Sequence, residues 1–427
     1  MAERDTIFAL SSGRPPAAVS IVRVSGPRAH DAGRQMAGSL PEPRTAALRE
    51  LREPGSGELL DQTLVLRFDS PASSTGENIV EFQCHGGRAV VDAVLGALAS
   101  LDGLRLAHPG EFTRRAFENG RIDLTEAEGL ADLIEAETQS QHKAALALAE
   151  GGLKKQITKW REKLLELSAG AELAIDHDES DEKPDTEIAR GCAALAGELG
   201  LWLERPRMER LKDGIRVVVA GPPNAGKSSL LNAIVDDDRA IVTDVPGTTR
   251  DHIEVPLALG GFPVLLTDTA GLRDPGDEVE AIGIRRTEAL IEAADVLVWL
   301  GKPAETPTHP RTIKVHAKAD LPGSGAAPKG SVALSSVTGE GVAALLKEIA
   351  QFAPALLPGE DAIALNRRQA THLQEARDAL AHASAALDFV LVAEDLRLAR
   401  SAFDRLTGRA GIEDVLDALF GRFCLGK

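Results

Sequence analysis

The stretch Gly221-Pro-Pro-Asn-Ala-Gly-Lys227-Ser228 constrains this chain more than any other. It fits the spacing G-x-x-x-x-G-K-[ST], and the β-branched run Ile215 to Val219 stands directly before it. The run reads as a buried strand that ends in a glycine-hinged loop and opens a helix at Ser229, the context a phosphate-binding loop requires. Backbone N–H groups from Asn224 through Ala225, Gly226, Lys227, Ser228 and Ser229 would face the phosphates. Lys227 would reach the β- and γ-phosphates, and Ser228 would sit on Mg2+. An ordinary strand–turn–helix with an exposed lysine would fit the local pattern but not the motifs downstream. The chain is expected to bind a nucleotide.

The 427 residues, 43% of them hydrophobic, are enough for two or three packed domains. A formal net charge of −17 argues against a protein that grips nucleic acid over its whole surface. The three cysteines, Cys84, Cys192 and Cys424, are scattered and suit neither a disulfide framework nor a C-x-x-C metal site. The N-terminal residues lack the layout of a signal peptide, and no apolar run approaches the ~20 residues that span a bilayer. A soluble, cytoplasmic protein without a membrane span is expected.

Residues 1 to about 120 mix short strand-like runs (Val19–Val24, Leu64–Phe68, Ile79–Cys84) with a helical stretch, Ala89–Leu98, and read as an α+β domain. From Leu124 to about Leu203 the chain turns helical, and Leu124 to Glu150 as one helix would be about 40 Å long. The acidic run Asp176 to Pro184 reads as a solvated loop rather than a metal site. Residues 213 to about 352 alternate strand, loop and helix, as an α/β nucleotide domain should. After Pro354 the pattern is helical again, with Ile412, Val415, Leu416, Leu419, Phe420 and Phe423 marking one apolar face. Helical segments on both sides predict a Ras-like α/β P-loop domain inserted into an all-α domain.

Strand Pro263–Leu266 runs into Thr267-Asp268-Thr269-Ala270-Gly271, where Asp268 would contact Mg2+ through water and the Gly271 N–H would sense the γ-phosphate. Upstream, Thr243-Asp244-Val245-Pro246-Gly247-Thr248-Thr249 lies in a candidate switch loop, with Thr249 able to close the Mg2+ shell. Guanine recognition needs a carboxylate that accepts two hydrogens from the base edge. Ala317-Lys318-Ala319-Asp320, after Thr312–Val315, supplies Asp320, although Ala317 stands where asparagine is usual. Its charge-assisted hydrogen bonding sets a scale of ~1.5–3 kcal/mol for the preference. Ser335, Ser336 and Val337 fit the loop that backs the base. Many Ras-like GTPases place a glutamine after the glycine at 271 to orient water. This chain has Leu272, which cannot hydrogen-bond water. Asn224 offers a side-chain carbonyl suited to a monovalent cation, and Asp277, Glu278 or Glu280 could orient water; the residues alone do not choose among these carboxylates.

Motifs outside the nucleotide region carry a resemblance that runs nearly end to end. They are Asp5-Thr-Ile, Ile21-Val-Arg23-Val-Ser-Gly26, Thr75-Gly-Glu-Asn-Ile-Val-Glu81 through His85-Gly-Gly, Pro109-Gly-Glu-Phe-Thr-Arg-Arg-Ala-Phe117, Asp123-Leu-Thr-Glu-Ala-Glu128 and Phe423-Cys-Leu-Gly-Lys427. The chain resembles the tRNA-modification GTPase family MnmE (TrmE). The resemblance implies a folate-binding and dimerisation domain over 1–120, a helical domain over 121–212 and 354–427, and a G domain over 213–353. It further implies a homodimer that works on tRNA with the flavin-dependent partner MnmG (GidA). Together they add aminomethyl-type groups to C5 of the wobble uridine from a tetrahydrofolate carrier, in its 5,10-methylene or 5-formyl form.

Carried over by the same resemblance, a K+ site would use Asn224 with oxygens near Thr243, Val245 and Thr248, and Glu280 would orient the attacking water. GTP hydrolysis would thus rest on Glu280, Lys227 and Asn224. Folate would use Arg23, Glu81, Arg121 and Lys427, with Cys424 near the one-carbon chemistry. The sequence departs from the family pattern at Ala317 and at Ser74, where an aromatic residue often precedes Thr-Gly-Glu. The contrasting class is a GTP-switched assembly or regulatory factor without modification chemistry of its own; the one-carbon module favours the enzyme.

Overall fold

The computed structural model describes residues 5–176, 186–237, 240–242, 253–269, 285, 287–359, 363–410, 413–423 and 426. They group into two compact units, residues 1–131 with 407–427, and residues 132–406.

The first unit is built on a six-stranded sheet of β1 (Thr6–Leu10), β2 (Val19–Ser25), β3 (Ala47–Arg52), β4 (Leu59–Phe68), β5 (Ile79–His85) and β6 (Leu104–Leu106). The strand order is β3-β4-β5-β2-β1-β6, antiparallel throughout except for the parallel β1–β6 pair. Two-residue alternation divides its faces. Val22 and Val24 of β2, with Val80, Phe82 and Cys84 of β5, pack beneath helices Ala29–Ala37 and Arg88–Ala99. Burial pushes the Cys84 thiol up to about 11, so it behaves as a small hydrophobe. The opposite face carries Ile21 and Arg23 beside Gln83 and Glu81. Helix Glu111–Glu118 covers part of that face by setting Phe112 among Ile7, Ala9 and Ala107.

The apolar stripe near the C-terminus is buried as its spacing predicts: Leu416, Phe420 and Phe423 pack with Leu124, Ala127 and Ala131, while Ile412 lies outside the described residues. The helical stretch from Leu124 to Glu150, about 40 Å long if it were one helix, is two, Leu124–Glu135 and Gln139–Ala149. The reason is local. The Thr138 side chain accepts from the Gln141 N–H, and the Gln141 side chain accepts from the Thr138 N–H. This capping box starts a new helix with a stabilisation of about 0.5–2 kcal/mol.

In the second unit, helices Gly152–Asp176 and Thr186–Leu203 share one core with helices Arg367–Ala385 and Phe389–Thr407. Trp160 is fully buried there, edge-on to Trp202 at 5.3 Å between ring centroids and stacked on Phe403 at 6.1 Å. Helices from before and after the nucleotide region therefore close on each other, and the α/β sheet between them is an insertion. The acidic run at 177–184 lies outside the described residues.

Among the described residues that sheet has seven strands: β7 (Ile215–Ala220), β8 (Ala240–Val242), β9 (Ile253–Leu259), β10 (Phe262–Asp268), β11 (Val296–Trp299), β12 (Thr312–His316) and β13 (Ser331–Ala333). Their order is β13-β12-β11-β7-β10-β9-β8. Strands β13 through β10 run parallel, and β9 and β8 add an antiparallel edge. Among the described residues, no helix is long and apolar enough to cross a membrane. Trp160→Ala removes the largest side chain of the helical core. It is expected to lower unfolding free energy by about 3–5 kcal/mol, read from the urea midpoint.

Candidate functional site

Strand β7 is buried on both faces: Val217 and Val219 join the large core, while Val218 and Ala220 pack with Leu297 on the other side. At its carboxyl end the loop turns through Asn224 (φ +60°) and Gly226 (φ +98°) into helix Lys227–Val235, which begins two residues earlier than the sequence suggested. Left-handed residues in such a turn point successive N–H groups into one concavity, a binding shape for anions. Lys227 is only 7% exposed, and its Nζ donates to the carbonyl oxygens of Gly221 and Pro222 at 3.0 Å each. The ammonium is thereby folded back across the mouth of the loop.

Behind it, Ser228 Oγ donates to Asp268 Oδ2 at 2.6 Å. Asp268 is fully buried at the end of β10, and Thr269 Oγ1 donates to the Val219 carbonyl at 3.0 Å, tying β10 to β7. A hydroxyl and a carboxylate so close form a pair of hard oxygen donors, and they fit a Mg2+ ion that keeps most of its own water. Of the proposed K+ ligands, Asn224 is exposed on the loop. Thr243 to Thr249, Ala270, Gly271, Leu272 and Glu280 lie outside the described residues, as do Cys424 and Lys427.

The expected base-binding loops brace the same edge of the sheet. Lys318 (φ +60°) donates from Nζ to the Asn224 carbonyl at 2.7 Å. The Ala319 N–H donates to the Leu334 carbonyl at 3.0 Å. Buried Ser335 accepts at Oγ from the N–H groups of Val337 and Thr338 at 3.3 and 3.1 Å. Asp320 is exposed, Ser336 half-buried, and Val337 86% exposed. Ala225 is partly buried against the core, and Ser229 faces solvent on the helix.

Ala317 opens on a cavity of about 440 Å³ that Pro222, Asn224, Leu300, His316 and Lys318 also line. His316 was missed from the sequence; its Nε2 is buried without a partner. Only its position beside Ala317 could have drawn attention to it.

In the first unit, Arg23 and Glu81 face each other across β2 and β5, with Nε to Oε1 at 2.8 Å. The Arg23 guanidinium carbon lies 5.6 Å from the centre of the Phe112 ring. Arg121 is exposed, and its stem lies over Gly76. A second network fixes the helix that carries Phe112. Arg115, 5% exposed, donates to Asp5, Glu77 and Glu111, and Arg105 makes a two-pronged contact with Glu111. Burial alone would raise the Glu111 pKa. The hydrogen bonds from Arg105, the His108 N–H and Arg115 outweigh it and hold the carboxyl down to about 2.

Residues 6–121 match the family model described as the GTP-binding protein TrmE N-terminus, and residues 124–424 match the MnmE helical domain. The chain belongs to the MnmE family. A relative from Novosphingobium aromaticivorans, named tRNA modification GTPase MnmE, is 51% identical over 99% of this chain and 100% of its own length. One of the same name from Rhizorhabdus wittichii is 52% identical over 99% of this chain and 97% of its own. A third, from Erythrobacter litoralis, is 51% identical over 99% and 100%. MnmE membership thus spans both units, and each carries a polar site.

Glu111 titrates near 4.5 as an ordinary glutamate and near 2 in the fold. Its contribution to stability is therefore complete above pH 4.5 and is lost as pH falls toward 2. Glu111→Gln is expected to flatten the fall of the urea midpoint across that window, measured by circular dichroism.

Proposed function

We propose that the protein hydrolyses GTP and that hydrolysis drives modification of C5 of the wobble uridine in certain tRNAs. The observation that carries the reading is the Ser228–Asp268 contact at 2.6 Å beneath the buried Lys227, in a chain that matches its family over nearly its whole length. Lys227, released from the Gly221 and Pro222 carbonyls, pairs with the β- and γ-phosphates. Ser228 and Asp268, with Thr249, hold Mg2+, which neutralises charge on the phosphate oxygens when bound.

Leu272 has no group to hold the attacking water, and the resemblance to the family gives that task to Glu280 rather than to Asp277 or Glu278. Asn224, with oxygens of Thr243, Val245 and Thr248, holds a K+ ion that supplies positive charge beside the transferring phosphoryl group. Asp320 selects guanine, with Ser335, Ser336 and Val337 behind the base. Two copies of the chain pair, and the flavin-dependent partner MnmG works with them in the cytoplasm. Residues 1–120 hold the tetrahydrofolate carrier through Arg23, Glu81, Arg121 and Lys427, with Cys424 nearby, and the G domain of residues 213–353 interrupts a helical domain of residues 121–212 and 354–427.

Two measurements test this. GTP turnover should be several-fold faster in K+ than in Na+, and tRNA from a deletion strain should lack the modified wobble uridine. Equal rates in both salts would remove the cation role, and unchanged tRNA nucleosides would reduce the protein to a GTP-driven switch. Ala317→Asn restores an amide at the cavity beside Lys318. One net hydrogen bond of about 0.5–1.5 kcal/mol makes GTP binding ~2–10-fold tighter by calorimetry.

A further inference from the structure

One end of the six-stranded sheet assembles a group that the Arg23–Glu81 pair does not use. His85 closes β5, and Asp61 near the start of β4 holds it twice. The His85 N–H donates to Asp61 Oδ2 at 2.8 Å, and His85 Nδ1 lies 2.7 Å from Asp61 Oδ1. A carboxylate only accepts, so Nδ1 carries a hydrogen in this contact, and in the neutral ring Nε2 is then the nitrogen that holds the lone pair. The Asp61 side chain is 8% exposed and that of His85 is 73% exposed, so a sheltered carboxylate orients an imidazole whose free nitrogen meets solvent.

The backbone around His85 is fixed as well. Gly86 exchanges backbone hydrogen bonds with Ala17 and Ala18, and a Cβ on Gly86 would stand 2.2 Å from the Ala17 carbonyl oxygen. The other end of the same loop holds the C-terminal tail. Ser11 Oγ donates to the Gly426 carbonyl at 2.8 Å, and a Cβ on Gly426 would stand 1.9 Å from the Leu10 oxygen. Glu81, Gln83 and His85 alternate onto one face, opposite Arg23, Ile21 and Val19 respectively. An extended ligand anchored at Arg23 reaches His85 about 13 Å further along that face.

We propose that His85 is a catalytic base of the one-carbon chemistry and that Asp61 is its positioning residue, the substrate being a protonated small amine. This rests on the reading of residues 1–120 as a one-carbon module. An amine that is to attack an electrophilic one-carbon unit must first lose a proton. The ammonium N–H bond breaks, its electron pair stays on the nitrogen that becomes the nucleophile, and the proton goes to His85 Nε2. Asp61 stabilises the imidazolium through Nδ1–H, and the exposed ring returns the proton to water.

The test uses the full chain with its flavin-dependent partner and tRNA, and follows amine incorporation into uridine with ammonium or glycine from pH 6.5 to 9.5. General-base assistance sets the scale: His85→Gln is expected to slow incorporation by ~100-fold or more at neutral pH. The deficit should shrink as pH rises and solvent supplies the free amine. Asp61→Asn should fall between the two, and nitrogen NMR should show that its neutral His85 no longer favours Nδ1–H. GTP hydrolysis and circular dichroism report whether each variant is folded. Incorporation by His85→Gln that equals wild type, or a deficit unchanged across the pH range, overturns the proposal. Wild-type protein that leaves uridine unmodified overturns the one-carbon reading instead, and this role with it.

Discussion

Strand β7 is hydrogen-bonded to a parallel neighbour on each side and packed against apolar side chains on both faces. A strand so enclosed can release its chain only at the ends, and parallel neighbours bring their own exits to the same edge. Asp268 leaves β10 there, Leu300 follows β11, and Ala317 and Lys318 follow β12. The contacts Ser228 to Asp268, Thr269 to Val219 and Lys318 to Asn224 all follow from that shared edge. The first two need β10 beside β7, and the third needs β11 and β12 on its other side.

The first unit solves a different problem. Its sheet has one face closed by two helices and one only partly covered. The partial cover depends on Arg115, a nearly buried cation that would be costly without its carboxylate partners. Asp5 and Glu77 come from two other segments and hold helix Glu111–Glu118 in place through Arg115, while Glu111 pairs with Arg115 within the helix. Phe112 then shelters one end of the face, while Arg23, with its side chain 25% exposed, and His85 remain within reach of a ligand.

Much of this was legible along the chain, for reasons that differ by element. The phosphate-binding loop could be read because the β-branched run, the two glycines and Lys227 are contiguous. The apolar stripe near Phe420 could be read because helical spacing repeats within a dozen residues. The break at Thr138 was missed although its signal, Thr138 followed by Gln141, was present, because residues of high helix propensity stand on both sides of it. Strand β3 was missed because it is mostly solvent-facing, which leaves a weak apolar pattern, while β1 was missed although its residues are apolar and almost wholly buried.

The sequence by itself determined the phosphate loop, the helical segments on either side of it and the family, since each is encoded by neighbouring residues or by motifs in order. Only the tertiary structure decided that Ser228 meets Asp268, that Arg23 meets Glu81 and that Asp61 orients His85. Those pairs lie 40, 58 and 24 residues apart. Strand order and register bring them together, and both are set by how whole faces bury their apolar side chains, which no local spacing records.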